Sequence, residues 1–236
     1  MDLLIKGSTE LNKMFAALQN TATGLRHDFG EVENLQQSLP GARDFVAKAS
    51  NRIEESILND LQLVRPSAGL LTPNVSKSGD GRDEFVLALS GAANFVRGNP
   101  HFAISLALRS NGETKIALVY SPIDERLYYA ESGNGAYVFS AHHSEKIRVS
   151  NLKEPGDLTI GYNTIGVRPV MIGSARETGC PALDFAWVAA GKMDVFVSDA
   201  LDYAEMAAGE LLVREAGGRV FERDGDIIAS NSVVEI

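Results

Sequence analysis

Several groups of side chains in this 236-residue sequence are of types that do chemistry. Asp80, Asp83 and Glu84 gather just ahead of the apolar run 85–89. Carboxylates at that spacing could offer oxygens to a divalent cation. Charge beside a strand is also how an exposed turn is written, and a solvated acidic loop is the expectation. His142 and His143 stand in a polar stretch between Ser140 and Ser144, with no second ligand motif beside them, and read as a surface loop. Cys180 is the sole cysteine and cannot form an intramolecular disulfide, so a small buried hydrophobe is expected there. Asn74-Val75-Ser76 has the form of a glycosylation triplet, which carries no meaning without a secretory signal. If Gly91-Ala92-Ala93 opens a helix, its backbone N–H groups could hold an anion without side-chain help. The plain alternative is that small residues keep a tight turn compact. No phosphate-binding loop, dinucleotide fingerprint, zinc-ligand spacing or nucleophile elbow is present.

These residues must be placed by regular elements, and the periodicity of apolar positions supplies them. Leu11, Met14, Phe15 and Leu18 fall on one face of a first helix. After a break at Pro40 and Gly41, a second follows through Val46, Ala49, Ile53, Ile57 and Leu61, with Pro66 beyond its end. From Phe102 the period drops to two, through Ile104, Leu106 and Leu108, an Asn111-Gly112 turn, then Ile116, Leu118 and Tyr120, which predicts a hairpin. Strands near 127–130 and 136–139 extend an antiparallel meander through Gly133-Asn134-Gly135. The second half alternates: an extended run near 158–162, a helix over 181–190, a strand over 194–197, a helix over 203–216 closed by Gly217-Gly218, and a last hairpin across Asp224-Gly225. Phe185 and Trp187 lie on the third of these helices and are expected in the core or a subunit interface rather than against a nucleobase. The expected organisation is an N-terminal α+β half, residues 1–150, and a C-terminal α/β half, residues 151–236, sharing one folded unit.

The formal net charge of −9 argues against tracking along a nucleic-acid backbone and makes a basic partner easier to accommodate. The apolar run 3–5 is too brief for a signal-peptide core or a membrane span, so a cytoplasmic protein is expected.

The stretch from Ser90-Gly91-Ala92-Ala93-Asn94-Phe95 to His101-Phe102-Ala103-Ile104-Ser105 resembles the signature region of the inositol monophosphatase family, which reads D-P-L-D-G-T-T-N-F followed by a Gly, an aromatic or His-Phe pair and an apolar strand. Gly179-Cys180-Pro181-Ala182-Leu183-Asp184 and Ala189-Ala190-Gly191-Lys192-Met193-Asp194 are similar to the family's G-S-A-A-L-D and A-A-G-R-x-D. Ala207-Ala208-Gly209 and 213–219 resemble its A-A-G and V-R-E-A-G-G ending, and 28–36 with Asp44-Phe45-Val46 resemble proteobacterial, suppressor-type members. The resemblance runs in order along nearly the whole chain. It implies an α/β (α+β) sugar-phosphatase fold, layered α-β-α-β-α, and a homodimer.

The resemblance also implies a chemistry: phosphate monoesters are hydrolysed with Mg²⁺ ions held by carboxylates. In D-P-L-D-G-T-T both Asp side chains and the Leu carbonyl are ligands, and the matching residues here are Leu87, Ala88, Leu89, Ser90, Gly91, Ala92 and Ala93. The upstream G-E-E aligns with Thr72, Pro73 and Asn74. A family Asp on the second helix aligns with Ser50, a Lys with Pro40, and the acid that holds substrate hydroxyls with Ser198. The W-D pair becomes Ala204-Glu205, so Glu205 alone keeps a charge.

From these departures the sequence reading expects a pseudoenzyme. Pro73, Asn74, Leu87, Ser90 and Glu205 are degenerate site positions, no metal and no cofactor are expected, and the role is that of a scaffold or regulator with a protein partner. Two alternatives stand beside it: a Mg²⁺-dependent phosphomonoesterase acting on inositol phosphate or a related sugar phosphate, using Glu205 and the acids at 80–84, and a non-catalytic inositol-phosphate sensor with its anion at Gly91, Ala92 and Ala93.

Overall fold

In the computed structural model the described residues are 5–35, 39–73, 76–77, 79, 81–164, 173–199 and 201–234. The chain begins with two long helices, α1 (Thr9–Leu35) and α2 (Leu39–Val64). Strands β1 (Gly69–Leu71), β2 (Ser76–Lys77) and β3 (Asp83–Ser90) follow, then the short helix α3 (Ala92–Val96). A meander continues through β4 (Ala103–Ser110), β5 (Glu113–Ser121), β6 (Arg126–Glu131), β7 (Gly135–Ser140) and β8 (His143–Ile147). The remainder is β9 (Thr159–Asn163), β10 (Ser174–Arg176), α4 (Pro181–Ala189), β11 (Val195–Ser198), α5 (Tyr203–Glu215), β12 (Arg219–Arg223) and β13 (Asp226–Ser230).

The strands form an eight-stranded sheet ordered β2-β1-β3-β4-β5-β6-β7-β8 and a five-stranded sheet ordered β10-β9-β11-β13-β12. The large sheet is buried on both faces, and its pleat sorts the sequence accordingly. Phe85, Leu87, Leu106, Leu108 and Leu118 face α1 and α2, meeting Phe15, Leu18, Ile57 and Leu61. The intervening positions, Val86, Ala88, Ala107, Ala117 and Ala130, face α4 and α5. Those residues are small, so the second helix pair packs close. A Cβ built on Gly209 of α5 would lie 2.5 Å from Phe185 of α4, which only glycine tolerates. Beyond that pair lies the five-stranded sheet, whose outer face gathers Leu158, Ile160, Val195, Val197 and Ile228. Helix pair, sheet, helix pair and sheet thus succeed one another in a layered α/β (α+β) sandwich.

Three local expectations change. Pro40 and Gly41 do not separate the helices: α2 already begins at Leu39, and a proline in the first turn lacks only an N–H that has no intrahelical acceptor anyway. Asp83 and Glu84 are not a solvated loop but the first residues of β3, where Asp83 accepts from Arg65 at 2.8 Å and Glu84 from Arg109 at 3.1 Å. Asp80 and Asn74 lie outside the described residues. His143 opens strand β8, although its side chain is exposed as expected.

Candidate functional site

Strand β3 ends where three helices converge. Its residues Leu87, Ala88 and Leu89 line a pocket of about 260 Å³ together with Pro73, Ile53 and Glu54 of α2, Ala92 of α3 and Glu205 of α5. The convergence follows from sequence. Gly91 takes φ 82°, a left-handed conformation open to glycine, and turns the chain from β3 into α3. A Cβ there would come within 3.0 Å of the His101 carbonyl oxygen. Asn94 fastens α3 by donating from Nδ2 to the carbonyls of His101, at 2.7 Å, and Thr178, at 2.8 Å. Asp202 caps α5, its carboxylate accepting from the Ala204 N–H at 2.8 Å, and so aims Glu205 from the first turn.

The structure brings together most of the residues singled out in the sequence. Leu87, at a position where the family resemblance implies a metal-binding Asp, is 1% exposed and belongs to the core beneath α1 and α2. Ser90 is fully buried on the opposite face of the strand. Its oxygen accepts from the Ala182 N–H at 3.2 Å and from the Cys180 thiol at 3.7 Å, and its hydroxyl favours the charged form of Glu205. Pro73 is exposed at the rim. Ala92 lines the pocket, whereas Ala93 faces solvent on a helix of five residues. Ser198 is tied to Asn163, donating to its carbonyl at 2.9 Å.

Electrostatically the pocket is acidic and poorly solvated. Burial raises the Glu205 carboxyl above its ordinary range; the Ser90 hydrogen bond works the other way and nearby Asp202 adds to the rise. No ion pair reaches Glu205 among the described residues. Cys180 is buried, its thiol pushed up to about 12 by loss of solvent, which makes it the inert apolar residue expected. Trp187 is half-buried with its ring 5.0 Å from that of His101, whose imidazole burial holds below its usual range.

Glu54 is the residue that sequence reasoning missed. It follows Ile53 in the chain, and only the fold shows that this part of α2 reaches the pocket. The signal available beforehand was its place beside a periodic core position, which many surface acids share.

Comparison with known proteins places this geometry. The model of the inositol monophosphatase family matches residues 8–235. The inositol-1-monophosphatase of Rhizobium meliloti is 38% identical, the match covering 92% of this chain and 87% of that protein. The Nus factor SuhB of Escherichia coli is 30% identical, over 94% of this chain and 91% of its own length. Among solved structures, the extragenic suppressor protein suhB of Bartonella henselae superposes with a TM-score of 0.83 at 31% identity, covering 96% of this chain and 95% of that one.

These matches correct one expectation, that the protein has no cofactor. The matched family is Mg²⁺-dependent, and the pocket keeps carboxylate oxygens on Glu54 and Glu205. Mg²⁺ is ordinarily held by one or two carboxylates with water and substrate oxygens filling its shell, so these residues fit one such ion. Among the described residues no cluster of three or more His, Cys, Asp or Glu gathers for a richer site.

Proposed function

The chain belongs to the inositol monophosphatase family, and from that premise we propose that this member is impaired in phosphomonoester hydrolysis and acts as a scaffold or regulator through protein contacts. The observation that carries the proposal is Leu87. An aliphatic side chain 1% exposed offers no ligand at that position, and its neighbour Ser90, fully buried, offers only a neutral hydroxyl. When bound, Mg²⁺ supplies charge that polarises a phosphate ester and lowers the pKa of water. What this chain adds is a pair of carboxylates to hold it, in a pocket with largely apolar walls. That set neutralises less cationic charge than the several acidic ligands the family resemblance implies, so the transition state receives less stabilisation.

A second reading, a Mg²⁺-dependent phosphatase of inositol phosphate or a related sugar phosphate, is favoured by the presence of Glu54 and Glu205 in the pocket lining and by the activity named for the rhizobial relative. The sensor reading is less well supported, because an anion at Ala92 meets the carboxylates lining the same pocket. We further propose a homodimer working in the cytoplasm. No helix among the described residues is long and apolar enough to cross a membrane.

The deciding experiment measures phosphate release from inositol 1-phosphate and an aryl phosphate in millimolar Mg²⁺, beside the rhizobial relative. Rates at least a thousandfold below that relative support impairment, roughly the loss of one or two strong electrostatic contacts in a transition state. Comparable rates establish the phosphatase.

A further inference from the structure

Two Asn-Gly dipeptides sit in hairpin turns of the large sheet, and the fold treats them differently. Asn111-Gly112 joins β4 to β5 as a two-residue turn closed by the Ser110–Glu113 pair. Asn111 takes φ 51° and Gly112 φ 82°, the left-handed pair of a type I′ turn, and both residues are exposed. The Asn111 N–H donates to the Arg82 carbonyl at 2.8 Å, while the Gly112 N–H meets no acceptor among the described residues. Asn134-Gly135 stands between β6 and β7, and there the glycine is buried. The Gly135 N–H donates to Glu215 Oε2 at 2.7 Å, and a Cβ built on Gly135 would lie 2.9 Å from Cε of Lys146. One glycine nitrogen is bare to solvent; the other is bonded and covered.

We propose that Asn111 is a site of spontaneous deamidation and that Glu215 protects Asn134 from the same reaction. Hydroxide removes the Gly112 amide proton, and the nitrogen attacks Cγ of Asn111. A C–N bond forms and closes a succinimide ring as the bond from Cγ to Nδ2 breaks. The side-chain nitrogen takes a proton from water and leaves as ammonia, which returns the hydroxide. Water then opens the ring at either carbonyl: cleavage at Cγ leaves aspartate, and cleavage at the backbone carbonyl leaves isoaspartate. Glycine has no Cβ to crowd the attacking nitrogen, and the exposed tip leaves the Asn111 side chain room to swing onto it. At Asn134 the nitrogen must first give up a charge-assisted bond, and the Glu215 carboxylate opposes the negative charge that deprotonation creates. The product at Asn111 is a new carboxylate beside the Arg109–Glu84 ion pair, whose guanidinium also donates to the Gly112 carbonyl at 3.0 Å. Isoaspartate lengthens the backbone of a two-residue turn, which the Ser110–Glu113 pairing does not accommodate.

The test holds the full folded chain in mildly alkaline buffer beside a blocked Gly-Asn-Gly peptide. Trypsin then releases residues 110–115 and 127–146 as separate peptides, so mass spectrometry reads the two sites independently. The expected result is that the first peptide gains the mass of an amide turned acid and accepts methyl groups from a protein isoaspartyl methyltransferase. It should do so at least tenfold faster than the second, a factor that about 1.4 kcal/mol supplies and that a hydrogen bond to a charged acceptor covers. Asn111→Gln should abolish conversion of the first peptide, because the ring it would have to close is larger. Glu215→Ala and the more conservative Glu215→Gln should both speed conversion at Asn134 and leave Asn111 unchanged. Equal rates at the two sites, or an Asn111 that stays intact while the reference peptide converts, would overturn the proposal. Unchanged Asn134 in both Glu215 variants, or acceleration of both sites alike in both, would overturn the protective part. None of these outcomes depends on phosphatase activity.

Discussion

The Thr178 hydroxyl lies 2.8 Å from both carboxylate oxygens of Asp184. A hydroxyl has one proton to give, so it serves one oxygen at a time. Asp184 is fully buried, and loss of solvent raises its pKa from 3.8 to about 7 in spite of that bond. Because the folded state holds this proton more tightly than the unfolded chain, its contribution is complete below pH 3.8 and is lost progressively as pH rises to about 7. Asp184→Asn should therefore stabilise the protein relative to the natural chain at pH 8 and much less at pH 5. Melting temperatures across that range check it, and a variant-to-natural difference that stays flat with pH would falsify it.

Asn94 joins α3 to the loop before α4 through two donors on one amide. Asn94→Ala should cost about 2 kcal/mol, the sum of two ordinary hydrogen bonds. Asn94→Asp should cost more at neutral pH, since it turns a carboxylate toward the carbonyl oxygens of His101 and Thr178. Urea midpoints rank the three proteins, and an Asp variant as stable as the Ala variant would remove the electrostatic part of this account.

Glu215, near the end of α5, accepts from the backbone N–H groups of Gly133 and Gly135, each at 2.7 Å, and so closes the β6–β7 turn from across the molecule. Bonds to a charged acceptor are stronger than neutral ones. Glu215→Ala should lower stability by about 2 kcal/mol and speed amide exchange at Gly133 and Gly135 specifically. Exchange that rises evenly along the chain instead would point to a general rather than local effect.

Leu87→Asp places a carboxylate in the core beneath α1 and α2. Without metal it should destabilise by about 3 kcal/mol or more, as an unpaired buried charge does. With Ser90→Asp added, millimolar Mg²⁺ should return part of that loss by binding the folded state preferentially. Denaturation with and without Mg²⁺ measures the recovery, and its absence would mean that the pocket's backbone no longer supports a metal geometry.

Much of the architecture was legible because burial imposes period. Leu106 and Leu108 alternate with Ala107 since both faces of the large sheet are covered, one by bulky helices and one by close ones. Helix α1 was legible only in its first turns, although Ala22, Leu25, Phe29 and Val32 continue the stripe and are all buried. Gly24 and Gly30 interrupt the local preference, and tertiary packing overrides it. The acids of β3 read as a solvated loop for a related reason. A strand that begins with Asp83 and Glu84 is stable because Arg65 and Arg109 arrive from distant segments, which no local pattern announces. At the site, the sequence identified which positions lack acids, whereas the pairing of Ser90 with Glu205 depends on β3 and α5 meeting in space.

The close seat of Gly209 against Phe185 has a kinetic corollary. Helix α5 lies between two sheets, and its residues Ala207, Ala208, Leu212 and Val213 have no exposed surface. Their amides cannot meet solvent by fraying, because opening any of them requires the layers on both sides to separate. Hydrogen exchange at these positions therefore proceeds through global opening, and α5 serves as an internal clock against which faster movements at the pocket end can be timed.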